Sequence, residues 1–580
     1  MNSLRKLLPY IKPYMLFAIL GPLLMCIEVG MDLLQPTIMQ HIIDVGIADN
    51  DNGYVLKLGL LMLLTAFVGL IGGVGSSIYS TKAAVNFAAD IRRDVFKKTK
   101  QFSNQNTDTF GTGKLITIVT NDIAAVQQAV MMILRIFVRG PLMFIGSVVI
   151  VWLTARELFP VLLVTIPILI VCIYYFSSKS GKLFVKVQQG MDRINIKLQE
   201  TLAGIRVIKA FNHEDYEKKQ FKSMNDFLME RNLSAEQVIL SLMPIILFVV
   251  NIGMVAGIWM GAIKVNAGSL QIGVILAFIN YLNIMMNGLM SSSNVLMQIT
   301  RSFTSADRIG QVLDTNIDIT EPANPASLPE IRGEVEFKDV NFSYSKNGEY
   351  VLKNISFTAK SGEKIGIIGS TGCGKSTLVK LIPRLYDADS GEILIDGVNI
   401  KEYPLENLRK AIGFVPQNAT LFSGSIEDNL FFGKEQATNE EMEHAAQSAS
   451  ALEFIDRFED TFAHEIKQGA TNLSGGQKQR LSMARAFIRE PKILILDDST
   501  SAIDAISESA VQQAIKRNHP ETTVFIVSAK ISSLIDADQI LVIDDGMVAA
   551  KGTHQDLLVA SSIYRDIFAT QNGKEEVSYE

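Results

Sequence analysis

Cysteine is almost missing from this chain: Cys26, Cys172 and Cys373 are the only three among 580 residues. That excludes a disulfide scaffold, and no two of them have the spacing of metal ligands. Charge is also scarce. Asp, Glu, Lys and Arg make up 20% of the residues, below the roughly 25% of an average soluble domain. Nor is there a basic excess. A net charge of −6 and an isoelectric point of about 5.7 exclude bulk nucleic-acid binding. Apolar residues, in contrast, reach 48% with a mean hydropathy of +0.23, which excludes a disordered chain. The length is too great for one core, so two or more domains are expected.

The apolar residues are concentrated in the first half. Leu58–Thr81, Leu158–Ser178, Gln237–Ile263 and Val265–Thr300 carry no charge. A helix needs about 20 such residues to cross a bilayer. Gly140–Ala155 is shorter but extends backwards through Val130–Leu134 and Ile136–Val138, and Met15–Gln40 is interrupted only by Glu28 and Asp32. This predicts six spans, all before about residue 300, with a lipid bilayer as partner. The first apolar run is too long for a cleavable leader.

Basic residues predict the orientation. The arm before the first span, segment 81–126 and segment 178–236 together hold 21 Lys and Arg, whereas the alternate loops hold three: Lys57, Arg156 and Lys264. Both termini and the two long loops are therefore expected in the cytoplasm. Those long loops read as helix, with few Gly or Pro and periodic apolar positions such as Ile196, Leu198, Leu202, Ile205 and Ile208.

From Ile331 the pattern changes to short strands alternating with helices. Val335–Phe337, Lys364–Ile368, Ile493–Leu496, Val524–Val527 and Ile540–Ile543 are strand candidates, the last four as buried parallel strands. The fold class expected is a six-helix membrane domain fused to a cytoplasmic α/β phosphate-loop domain. The expected boundaries are 1–318, a linker over 319–330, and 331–580.

Two motifs carry chemistry. Gly369, Ser370, Thr371, Gly372, Cys373, Gly374, Lys375 and Ser376 form a phosphate loop between a predicted strand and a helix that starts near Thr377. Glycines let backbone N–H groups curl around phosphate oxygens, Lys375 supplies a cation, and Ser376 offers a hydroxyl to Mg²⁺. Cys373 is read as a small filler. Strand 493–496 ends in two carboxylates, Asp497 and Asp498; adjacent acids at the end of a buried strand call for a cation, and Asp497 is the expected magnesium acid.

A third motif is more specific. Leu473, Ser474, Gly475, Gly476, Gln477, Lys478, Gln479 and Arg480 resemble the signature of ATP-binding cassette exporters, placed before a helix expected over Lys478–Ile488. The resemblance spans the chain from its first helix to about residue 570. It implies that Ser474 and the residues after it bind ATP held by an opposite cassette. It also implies that Tyr344 stacks on adenine, that Gln417 touches magnesium, that Ser501–Asp504 bridges the two sites, and that Phe110–Asp122 and Thr201–Phe211 are coupling helices docking near Gln417. ATP and Mg²⁺ are the expected cofactors, and a second half-transporter is the expected partner.

The chain departs from that family pattern in three places. Asp498 stands where glutamate is usual, and it is shorter by one CH₂. Ala529, in Ser528-Ala529-Lys530, stands where a switch histidine is usual. Gln468 replaces an acid before the signature. One CH₂ is about 1.5 Å of bond length, and a misplacement of about 1 Å can cost on the order of 10²-fold in rate. With two losses in one site and an intact signature, the resemblance implies a bacterial heterodimeric multidrug exporter with one degenerate and one competent site. A homodimer in which aspartate suffices is the simpler alternative. A lipid or lipopeptide flippase and a nucleotide-gated channel subunit are the others.

Glu28 and Asp32 share one helix face. They either attract cationic substrates or pair with Arg135 or Arg139. The methionines in or beside the spans (Met131, Met132, Met254, Met285, Met286 and Met290), with Phe248, Asn251, Asn280, Tyr281 and Asn287, fit either a mixed pocket for hydrophobic drugs or ordinary packing.

Overall fold

The structure is a computed structural model that describes residues 6–322, 330–345 and 348–571. Residues 323–329 of the expected linker lie outside the described residues. The chain forms two compact units, one of Met1–Thr99 with Gly113–Asp314 and one of Lys100–Thr112 with Thr315–Glu580.

In the first unit the helices are α1 (Met15–His41), α2 (Asn52–Lys100), α4 (Thr112–Thr117), α5 (Ile123–Thr154), α6 (Phe159–Ala203), α7 (Ile205–Ala210), α8 (Glu214–Asn266) and α9 (Ile272–Asp314). Among the described residues six helices are long and apolar enough to cross a membrane, as the uncharged runs predict. One boundary differs: Val265 belongs to α8, because the chain breaks at Ala267–Gln271 before α9 begins. The helices α2, α6 and α8 have 49, 45 and 53 residues. At about 1.5 Å per residue they are more than twice the roughly 30 Å of a bilayer core. Their apolar side chains face outward: Leu56, Leu63 and Phe67 keep more than 60% of their surface exposed. Such faces suit a lipid bilayer.

The unit is held together along α9. Phe278, Tyr281, Leu282 and Met285 are fully buried in a cluster with Met25, Val29 and Leu33 of α1 and Met143 and Val151 of α5. The helices α5 and α9 cross where Gly140 faces Gly288. A Cβ on Gly288 would lie 2.7 Å from the Gly140 carbonyl oxygen, so only small residues permit this approach. Near the start of α5, the buried Asp122 accepts from Arg308 at 2.6 Å and from Ser305 at 2.8 Å, tying α9 to it by charge.

The second unit contains twelve strands among the described residues: β1 (Val335–Phe342), β2 (Leu352–Ala359), β3 (Lys364–Gly369), β4 (Ser390–Ile395), β5 (Val398–Asn399), β6 (Ile412–Val415), β7 (Gly424–Ser425), β8 (Glu465–Ile466), β9 (Ile493–Asp497), β10 (Thr523–Val527), β11 (Gln539–Asp544) and β12 (Met547–Gly552). The central sheet has the order β12-β11-β3-β10-β9-β6, with β11, β3, β10, β9 and β6 mutually parallel and β12 antiparallel at the edge. The continuous apolar runs are buried on both faces, as parallel strands must be. An antiparallel sheet, β2-β1-β4-β5, forms a second layer. Its helices are α10 (Lys375–Leu381), α11 (Leu405–Lys410), α12 (Ile426–Phe431), α13 (Asn439–Ser448), α14 (Leu452–Ile455), α15 (Gly475–Phe487), α16 (Ala505–Asn518), α17 (His554–Ala560) and α18 (Ser562–Gln571).

One short helix from the first long loop, α3 (Asn104–Phe110), belongs to this second unit. Ser103 and Asn106 cap it reciprocally. Asn106 then donates to Asp318 at 2.6 Å, and Asp108 accepts from the Tyr386 hydroxyl at 2.7 Å. This docked turn meets the expected coupling segment Phe110–Asp122 only at Phe110, and its partner in the cassette is Tyr386. Burial and the Asp108 charge hold the Tyr386 phenol well above its usual pKa.

Candidate functional site

The parallel strands β3, β9 and β10 end side by side, and the loops leaving them hold the predicted residues. The glycine-rich loop connects β3 to α10. Gly372 and Gly374 have φ of 85° and 103°, in the left-handed region that favours glycine. A Cβ on Gly374 would also press on Leu352 at 2.8 Å. The loop thus turns tightly enough to aim the first N–H groups of α10, which have no intrahelical acceptor, into its mouth. Lys375 folds over it, with Nζ 2.8 Å from the Gly369 carbonyl oxygen and 2.7 Å from that of Ser370. Cys373 is buried, as a filler should be.

Ser376 donates its hydroxyl to Oδ1 of Asp497 at 2.6 Å. Asp497 is almost completely buried, and burial pushes its carboxyl pKa up, with the Asp498 charge adding to the shift against the Ser376 hydrogen bond. Asp498 follows in a left-handed conformation, φ 48°, which aspartate tolerates better than most residues. Its N–H donates to Val527 of β10 at 3.0 Å, and its Oδ2 accepts from Gln417 Nε2 at 3.1 Å. Across the strand ends, Ser528 N–H donates to the Ile367 carbonyl of β3 at 3.1 Å, and Ala529 is exposed. The Tyr344 hydroxyl lies 3.0 Å from Thr377 Oγ1, and its ring meets Tyr386 edge-on while staying 41% exposed.

Ser376, Asp497, Asp498, Gln417 and the turn before Ala529 therefore meet around one loop, and Tyr344 flanks it through Thr377. The signature residues stand apart. Ser474 caps α15, accepting from Gln477 N–H at 3.3 Å while the Gln477 side chain accepts from Ser474 N–H at 2.8 Å. This capping box starts the helix at Gly475, three residues before the predicted Lys478. Among the described residues no hydrogen bond joins Ser474 to the phosphate loop of its own chain. Asp504 of the bridging segment caps α16 without a reciprocal bond, accepting from both the N–H and the hydroxyl of Ser507, and these hydrogen bonds hold its carboxyl below the usual range.

A family described as the ABC transporter transmembrane region matches residues 18–289, and a second described as ABC transporter matches residues 352–501. The chain belongs to the ABC transporter family. It is similar to the uncharacterized ABC transporter ATP-binding protein YfiB of Bacillus subtilis, with 39% identity over 99% of both chains. YgaD of Bacillus subtilis, whose name marks it as a candidate multidrug export ATP-binding/permease protein, is 30% identical over 99% of this chain and 100% of its own. The fatty acid ABC transporter ATP-binding/permease protein of Mycobacterium bovis is 32% identical over 82% of this chain and 75% of its own. The solved structure of a bacterial Atm1-family ABC exporter with ATP bound shares the fold, with a TM-score of 0.78 at 24% identity, covering 97% of this chain and 99% of that one. The protein is thus an ABC exporter half-transporter, a multi-pass membrane protein with its transmembrane and ATP-binding domains in one chain. It couples ATP hydrolysis to transport.

In the exporter's membrane unit, Glu28 and Asp32 are not free. Arg139 of α5 spans them, with Nη1 3.2 Å from Glu28 and Nη2 3.2 Å from Asp32. Two acids share one guanidinium, so the triad keeps one negative charge in excess. Gly73 of α2 makes room for it: a Cβ there would lie 2.9 Å from the Glu28 carboxylate. Arg135, one turn away, is exposed. Several proposed pocket residues turn out to be packing. Met285 and Met286 are buried, and Tyr281 spends its hydroxyl on the Leu33 carbonyl at 2.7 Å and Thr37 at 2.6 Å. Phe248 and Asn251 do remain exposed.

Sequence reasoning missed Tyr386 and Gln571. Neither lies in a motif, and each acts through polar contacts with a segment distant in sequence, Tyr386 with Asp108 and Gln571 with the Ala529 and Ile531 backbone, which leaves no local signal.

Proposed function

We propose that this chain is one half of an ATP-driven exporter of hydrophobic and cationic amphipathic compounds in a bacterial cytoplasmic membrane. Its partner is a second, different half-transporter. In the site on its own phosphate loop, Gly369, Ser370, Thr371, Gly372, Cys373, Gly374, Lys375, Ser376 and Thr377 hold the ATP phosphates. Lys375 exchanges its two carbonyl acceptors for phosphate oxygens, and Tyr344 offers its exposed ring to the adenine. Ser376, Asp497 and Gln417 suit Mg²⁺, because they are hard oxygen donors and Asp497 is a buried carboxyl short of a cation. The bound ion would neutralise phosphate charge. Ser474, Gly475, Gly476 and Gln477 face the ATP of the partner.

The observation that carries the degenerate-site reading is the neighbourhood of Asp498. Its short carboxylate is engaged by Gln417 at 3.1 Å, and the turn across from it presents Ala529, which has no donor or acceptor on its side chain. Such a site binds ATP and activates water poorly. The intact signature completes a competent site on the partner. ATPase measured on the purified chain with and without a partner half-transporter tests this. Brisk hydrolysis by the chain alone would overturn the heterodimer.

For the cargo, the excess negative charge of the Glu28–Arg139–Asp32 triad favours cations. A fatty acid exporter among the relatives favours a lipid or lipopeptide as the second reading. Stimulation of ATPase by cationic drugs, set against stimulation by lipids, separates the two.

A further inference from the structure

Beyond the last nucleotide motif the chain forms α17 and α18, which are anchored firmly. Tyr564 is fully buried, its hydroxyl lies 2.7 Å from His554 Nδ1, and it shares a hydrophobic cluster with Leu557, Ile531 and Leu534. The final residue of α18, Gln571, reaches back to the turn that follows β10. Its Oε1 accepts from Ile531 N–H at 2.9 Å, and its Nε2 donates to the Ala529 carbonyl oxygen at 2.7 Å. One planar amide thereby clasps the backbone on both sides of Lys530. The turn is tied from the other direction as well. Ser528 N–H donates to Ile367, two residues before the phosphate loop, and Lys530 N–H donates to Ser528 Oγ at 3.0 Å. Val527, just before it, receives the N–H of Asp498.

We infer that Gln571 is a positioning residue for the nucleotide site. It sets the backbone of the 528–531 turn from the C-terminal helix, at the one edge of the site where the side chain has nothing with which to grip a nucleotide. The inference rests on the reading of Ala529 as the switch position. Its physical content is preorganisation. A turn already held by two backbone-directed hydrogen bonds does not have to be ordered when ATP arrives, so the ordering entropy is not charged to binding. Loss of the amide frees the carbonyl of Ala529 and leaves the buried Ile531 without its acceptor.

The test uses the full chain in detergent or nanodiscs, with hydrogen exchange of the nucleotide-free protein and Mg-ATP binding by titration. In Gln571→Ala, exchange at the 528–532 amides is expected to rise about tenfold, on the scale of a lost net hydrogen bond. ATP affinity is expected to fall by a similar factor, while protection around Tyr564 stays at its wild-type level. Gln571→Glu keeps an acceptor for Ile531 N–H and loses the donor to Ala529. Its ATP affinity is expected to lie between the two and to recover as pH is lowered and the carboxyl takes up a proton. A purely structural contact would not show this recovery. Unchanged exchange and unchanged affinity in Gln571→Ala, or loss of protection spread evenly over 554–571, overturns the inference. Lys375→Ala serves as the control for the site. If it binds ATP as the wild type does, the reading of the nucleotide site falls, and the inference with it. If Lys375→Ala abolishes binding while Gln571→Ala changes nothing, only the inference falls.

Discussion

Gln417 donates its side-chain amide to the carboxylate of Asp498 at 3.1 Å, joining the segment after β6 to the end of β9. Asp498 holds this contact from a left-handed backbone conformation, φ 48°. The residue that stands where the family usually has glutamate is therefore both short and oriented by its own backbone.

Replacing Asp498 by Glu and Ala529 by His together is expected to raise hydrolysis at this site by up to about 10²-fold, the scale of a 1 Å correction in placement. The measurement is single-site ATPase with the partner's own phosphate loop disabled. Asp498→Glu alone should also lower thermal stability slightly, because glutamate tolerates the left-handed region less well, at a cost of roughly 1 kcal/mol.

Asp497 carries opposite consequences for stability and for ligand binding. Burial holds its carboxyl above the ordinary aspartate value. The folded cassette therefore binds this proton more tightly than the unfolded chain does. Stability falls as pH rises from the ordinary value, about 3.9, through the raised folded value, and then levels off. Asp497→Asn should raise the nucleotide-free melting temperature at pH 7, by roughly 2–4 °C per kcal/mol recovered, with the gain fading toward pH 4. The same variant should lose the Mg²⁺-dependent part of stabilisation by ATP. Differential scanning fluorimetry across pH reads both effects.

Arg139 offers a two-sided test of the membrane triad. Glu28→Gln with Asp32→Asn strands the guanidinium, which is partly exposed, so destabilisation of about 1 kcal/mol is expected rather than the several of a dry site. Export of a cationic dye from vesicles should weaken. Arg139→Gln releases both acids and should tighten dye binding. Equal transport by all three proteins would remove the triad from the substrate path.

Asp108 on α3 is expected to matter for coupling rather than for chemistry. Asp108→Asn weakens the bond from the Tyr386 hydroxyl by removing its charge, a loss of about 1 kcal/mol. Drug-stimulated ATPase and transport should fall severalfold, with basal ATPase within about twofold. An equal fall in all three would place Asp108 outside the coupling path.

The motifs were legible because their chemistry is local. A phosphate loop needs its glycines and Lys375 within eight residues, and a buried strand that ends in Asp497 and Asp498 shows its purpose in a single run. The capping box at Ser474 and Gln477 is equally local, yet propensity alone starts the helix at Lys478, three residues late, because Gly475 and Gly476 are poor helix formers. The break between α8 and α9 was hidden for the converse reason. Ala267–Gln271 is uncharged, so hydropathy runs through a turn that backbone geometry interrupts.

By itself the sequence determined the spans, the order of strand and helix in the cassette, and the losses at positions 498 and 529, since each depends on residue type at fixed spacing. Only the tertiary structure decided which distant groups meet. It gave Arg139 to Glu28 and Asp32 rather than leaving the acids open, put α3 against Tyr386, and brought Gln571 onto the turn at Ala529. The physical reason is common to all three. A hydrogen bond or ion pair between segments far apart in the chain is specified by how helices and strands pack, and packing leaves no periodicity at the positions it joins.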